Sequence, residues 1–120
     1  MTEPFSPIKR SVMIVSAKEP LIDWIFSIRE AHYGSGQVSR EDIKKRAAKK
    51  TNAYLIPAGS SLEPDGFIRE KYAEIFENEL RDWCLKTGLW PENRSREVFM
   101  EWLGCEFHPV VFDTVPDRSL

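Results

Sequence analysis

Few side chains in this chain combine the residue types and spacing that chemistry needs. Cys105 and His108 invite a metal or nucleophile reading, but they fall three apart on a segment that reads as a strand. Positions i and i+3 of a strand point to opposite faces, so the pair cannot share a ligand without a bulge. Cys84 and His32 sit on separate predicted helices, and no C-x-x-C pair is present. That pattern predicts no metal site. Glu70, Glu74 and Glu77 lie at three- and four-residue spacing, as paired acid–base carboxylates would. The interleaved Arg69, Lys71 and Arg81 instead predict a salt-laced solvent face. Glycine-rich phosphate loops, G-x-S-x-G elbows and H-E-x-x-H motifs are absent. The residues point away from catalysis and predict no cofactor.

Three constellations remain as candidate binding groups. Ser16, Lys18 and Asp113 carry a hydroxyl, an ammonium and a carboxylate at predicted strand ends. If those ends met beside the helix starting at Pro20, a small anion would find donors there. Lys44, Lys45, Arg46, Lys49 and Lys50 place five cations within seven residues, a pattern that attracts polyanions such as nucleic acid. The third group is an aromatic and polar knot, Trp90, Asn93, Arg94, Trp102 and His108, whose tryptophans and arginine are typical interface anchors. Alternatively, the tryptophans cover the core while Asn93 and Arg94 satisfy turn carbonyls.

Composition narrows the classes. The chain has 120 residues, 42% hydrophobic and 30% charged, enough for one domain with a real core. Disordered, collagenous and disulfide-dense secreted classes are excluded by those values. Two cysteines predict reduced thiols in a cytosolic protein, and Met1–Pro7 shows no secretory pattern. No apolar run approaches the roughly 18 residues of a membrane span. The net charge of −2 hides an asymmetry, +5 over residues 9–50 and −6 over residues 51–120. Opposite-sign halves either face one another, are solvated, or favour self-association.

The elements that must position these groups follow from pattern. Residues 1–7, with two prolines and no periodicity, predict a disordered tail, and residues 116–120 a loose one, around a single domain over 8–115. The continuous apolar run Val12 to Val15 predicts a strand buried on both faces. Helices are predicted from Pro20 to His32, after a Ser39 cap to Lys50, from Phe67 to Leu85, and after a Ser95 cap to Leu103. Asn52 to Ile56 and Glu106 to Asp113 complete three strands. Connections of this length suit parallel crossovers. The expectation is a small α/β three-layer sandwich, a mainly parallel sheet of order 2-1-3 with helices on both faces. The alternative is an α+β fold with helices on one face of a mixed sheet.

The turn Leu89-Trp90-Pro91-x-Asn93-Arg94 and the stretch Glu106-Phe107-His108-x-x-Val111-Phe112-Asp113 also carry a resemblance. With Lys9 to Val15 and Glu74 to Cys84, they resemble a family of small uncharacterised bacterial proteins over most of residues 9–113. The resemblance implies no activity and transfers no catalytic residue. The functional expectation is a cytosolic, non-enzymatic module that binds a protein partner or itself. Alternatives are a small-ligand or anion site at Ser16, Lys18 and Asp113, and polyanion binding through Lys44–Lys50, with no membrane role.

Overall fold

The computed structural model of the chain describes residues 5–115. Of the tail predicted over residues 1–7, residues 1–4 lie outside them, as does the tail predicted over 116–120, whereas Ser6–Pro7 form a short strand rather than a loose end. In chain order the elements are β1 (Ser6–Pro7), β2 (Arg10–Ala17), α1 (Glu19–Tyr33), α2 (Arg40–Lys49), β3 (Asn52–Pro57), α3 (Pro64–Arg81), α4 (Arg96–Trp102), β4 (Leu103–His108) and β5 (Phe112–Asp113). Short 3-10 turns at Ser60–Leu62 and Thr87–Leu89 flank α3.

The sheet is ordered β3-β2-β4, and both pairings are antiparallel. The parallel three-layer sandwich is therefore overturned, and the fold is α+β. The reason lies in the end of β2 to which each connection delivers the chain. One crossover helix carries the chain back to the starting end of a strand, so the next strand runs parallel. Two helices, α1 and α2, return it to the end it left. Asn52 accordingly pairs with Val15, at the end of β2, and β3 must run back. From the far end of β3, the long α3 brings the chain back, and β4 starts with Leu103 opposite Ala17.

The helices cover one face only. Along β2, Ser11, Met13 and Val15 are buried, Arg10 and Ser16 are exposed, and Val12 and Ile14 are half-buried. Val12 and Ile14 share the open face with their register partners Ala53, Leu55, Glu106 and His108. The expected second helical layer over Val12–Val15 does not exist among the described residues.

Beneath the helices, Phe76 and Phe99 are fully buried and meet edge to face at 5.7 Å. Trp102 packs on Phe76 at 5.9 Å and on Trp24 at 6.2 Å. Such pairs add about 0.5–1.5 kcal/mol each beyond the area they bury. Two helices start on the predicted caps: Ser39 Oγ accepts from the Asp42 amide and Ser95 Oγ from the Val98 amide, both at 3.3 Å. Helix α3 begins at Pro64, three residues before the predicted start, because proline suits the first turn.

β1 and β5 prolong the β2–β4 ladder beyond an interruption. Pro7 pairs with Phe112 and Val12 with His108, so five steps on one strand face four on the other. Pro109 has no N–H for the ladder, and its carbonyl accepts instead from the buried Ser11 hydroxyl at 3.1 Å.

Candidate functional site

The predicted site residues separate. Asp113 lies opposite Ser6, whereas Ser16 lies opposite Gly104 at the other end of β2. Ten residues of extended chain place Asp113 on the order of 30 Å from Ser16, so no crevice joins them. Lys18 is committed elsewhere: its ammonium donates to the Met100 carbonyl at 2.8 Å, closing the carboxyl end of α4. A hollow of about 470 Å³ does lie beside Lys18. Its other cation, Lys44, is paired with Glu19 at 3.1 Å.

The aromatic knot is structural. Trp90 is buried, and its indole N–H donates to the Cys84 carbonyl at 2.9 Å. Arg81 and Arg94 cover its ring at 5.6 and 5.8 Å. Arg94 also donates to the Pro91 carbonyl at 2.7 Å, and Asn93 Oδ1 accepts from the Ser95 amide. Trp102 is half-buried in the aromatic core. Asn93 and His108 are exposed, and His108 lies on the open sheet face, bonded to Glu106 at 2.9 Å. The five residues form no common surface.

The basic helix is partly neutralised. Arg40 bonds to Glu19 and Asp23, and Lys44 to Glu19, which joins α2 to α1. Lys50 donates to the Asp82 carbonyl at 3.1 Å and sits 4.8 Å above the Trp83 ring. Lys45, Arg46 and Lys49 have no ion pair among the described residues.

A different feature is built like a site: the outer edge of β3. A groove of about 580 Å³ is lined by the consecutive residues Tyr54 to Pro57 and by Phe67, Lys71, Glu74, Ile75 and Asn78 of α3. Consecutive strand residues point to alternate faces, so a cavity touching all four straddles the strand edge. The α3 residues recur at three- and four-residue steps, one stripe of a helix. Past Pro57 the groove continues into a hollow of about 410 Å³ that shares Pro57, Phe67 and Lys71.

A buried clamp fixes the groove's width. Glu79 is 4% exposed on α3 and accepts from the Tyr54 hydroxyl and from Asn52 Nδ2 at 2.7 Å. Asn52 also reaches Asp82 at 2.7 Å, and Asn78 donates to the Tyr54 hydroxyl at 2.9 Å. Asn52 and Tyr54 are two apart, so both project to the helical side of β3. Burial raises the Glu79 carboxyl above its usual range, against the opposing pull of its two hydrogen bonds. Burial likewise raises the Tyr54 phenol, with Glu79's bond adding to it.

Glu79 was missed in the sequence, although it occupies the apolar stripe between Phe76 and Trp83. A lone carboxylate at a core position was the available signal. No family model, curated protein or solved structure matches the chain. No helix among the described residues is long and apolar enough to cross a membrane.

Proposed function

We propose that the chain is a protein-interaction module that takes up an extended peptide as an added strand along β3. The observation that supports it best is the edge itself. β3 is one of two outer strands, each six residues long, and unlike β4, which carries Glu106, its Asn52-Ala53-Tyr54-Leu55-Ile56-Pro57 contains no charged side chain. Edge strands are usually blunted by lysines, bulges or a covering segment, because their unpaired N–H and C=O groups template further pairing. Here Pro57 alone does so, at the last residue. Recognition of extended peptides beside a helix uses this arrangement: main-chain bonds supply affinity and flanking pockets read alternate side chains. Phe67 and Ile75 offer an apolar wall to one set of side chains, and Leu55, 63% exposed, meets the other. The Glu79 clamp holds strand and helix apart before any peptide arrives, which lowers the ordering cost of binding. The module belongs in the cytosol, consistent with the unpaired Cys84 and Cys105. Kinship with the small bacterial family is part of the same proposal and brings no activity with it.

Selection from a random peptide library, followed by titration of the selected peptides into labelled protein, tests this reading. Expected are peptides with alternating apolar residues, chemical-shift changes over residues 52–57 and 67–78, and affinity reduced at least tenfold by Leu55→Lys, a like cost to other gatekeeper charges. Shift changes confined to other elements, or affinity indifferent to Leu55→Lys, would refute it. A second copy of the chain presents the same edge. Concentration-dependent dimerisation that Leu55→Lys abolishes would make self-pairing the natural use.

A further inference from the structure

A second cleft lies where α1, α2 and the turn after α3 meet. It has a volume of about 420 Å³, and a smaller hollow of about 270 Å³ adjoins it through the shared residues Arg29, Tyr33 and Trp83. Two aromatic rings thus stand at the waist of a continuous depression. Trp83 is half-buried with Lys50 over its ring, and Tyr33 is 57% exposed with the His32 ring perpendicular to it at 4.6 Å, so each ring has part of its surface left for a ligand.

The charges converge as well. Arg29 is half-buried and spends one donor on the Trp83 carbonyl at 3.2 Å, which orients its guanidinium and leaves other donors free. Arg46 lines the same cavity with no ion pair or hydrogen bond among the described residues. Lys50 stands over the Trp83 ring at 4.8 Å. Lys50 itself stands outside the lining, bonded to the Asp82 carbonyl; lining the two joined hollows, the cations Arg29, Arg46 and Lys86 face one carboxylate, Asp42. The surplus is two positive charges, the complement of a phosphomonoester at neutral pH. The basic helix carries no aromatic residue of its own, and only Tyr54 lies close to it in sequence. The fold supplies aromatic rings from α1 and from the end of α3.

We propose that this cleft binds a small planar molecule bearing a phosphomonoester, of nucleoside monophosphate size, with the ring against Trp83 and Tyr33 and the phosphate on Arg29 and Arg46. Stacking on an aromatic wall and forked guanidinium bonds to phosphate oxygens are the chemistry such a lining provides. This site is separate from the β3 groove and stands or falls independently of it.

Calorimetric titration with the four common nucleoside monophosphates, inorganic phosphate and an unphosphorylated nucleoside tests the proposal. At least one nucleotide should bind more tightly than about 1 mM, with phosphate and nucleoside each at least tenfold weaker. Arg46→Gln, an exposed position, should weaken binding about tenfold or more, since a charge-assisted bond is lost. A paired Lys45→Gln/Lys49→Gln variant on the solvent side of α2 should leave it unchanged. Absence of saturable binding, equal affinity for inorganic phosphate, or equal loss in the paired lysine variant would each overturn it. The last of these outcomes would mark nonspecific attraction of polyanions along α2.

Discussion

Replacing Glu79 by Ala and, separately, by Gln divides the two roles of this buried carboxylate. Alanine removes the only acceptor for the Tyr54 hydroxyl among the described residues and one of two for the Asn52 amide, since Asn52 keeps Asp82. A buried group left without its partner costs about 1–3 kcal/mol. One group fully deprived and one partly deprived therefore give roughly 2–4 kcal/mol. For a domain of this size that corresponds to a fall in Tm of about 10–20 °C. Glutamine keeps an acceptor oxygen and carries no charge, so Glu79→Gln should lie within about 1 kcal/mol of the parent at neutral pH. The pH dependence has a definite sign. Burial raises the Glu79 pKa above its usual 4.5 in the folded chain, so the folded state binds a proton that the unfolded state releases. The neutral form's contribution to stability is complete below the usual value and is lost as pH rises through the raised one. The stability of Glu79→Gln relative to the parent should therefore grow from pH 4.5 upward and then level off. Urea unfolding of parent and variant at half-unit intervals from pH 4.5 to 8 measures this difference. A parent that gains on Glu79→Gln with rising pH would show a carboxylate stabilised as an anion, and the reasoning would be wrong.

Three other perturbations discriminate between structural and functional roles. Lys18→Met keeps the aliphatic stem but removes the bond to the Met100 carbonyl; it should cost about 1 kcal/mol in thermal unfolding, with Lys18→Arg recovering most of it. Trp90→Phe deletes the indole bond to Cys84 and should cost about 1–3 kcal/mol while leaving peptide affinity for the β3 groove intact; a selective loss of affinity would return the turn to the surface. Cys105 is half-buried and its thiol is pushed up to about 11 by burial, so at pH 8 it should react with a thiol reagent at least tenfold more slowly in the folded chain than in the unfolded one, at a rate that climbs with urea. A urea-independent rate near that of the unfolded chain would contradict its burial.

The local signals in the sequence and the global topology were legible to different degrees for a physical reason. Ser39 and Ser95 act through atoms three residues away, so their caps could be read directly. The run Val12 to Val15 marked the central strand, and β2 indeed lies between the other two. Its continuity was misleading about the second layer. Val12 and Ile14 are apolar yet half-exposed, sheltered by neighbours on the sheet rather than by a helix. Strand direction depended on which end of β2 each pair of helices returns the chain to, a tertiary outcome that no single residue encodes.

The candidate sites depended on that topology. Trp90 and Arg94 have the composition of an interface anchor, but the same properties make a good internal plug: a large ring, one N–H to satisfy, and guanidinium groups to cover its face. Sequence cannot say which side of Trp90 faces solvent. The groove inverts this case. Tyr54, Leu55 and Ile56 are unremarkable strand residues and line a groove at an open edge only because the order β3-β2-β4 leaves them outermost. Glu79 carries the bridging clue. A carboxylate in an apolar stripe must find donors or lose its charge, and the donors available on the adjoining strand are two residues apart on one face. That requirement places α3 over Asn52 and Tyr54, and with it the groove that runs along their edge.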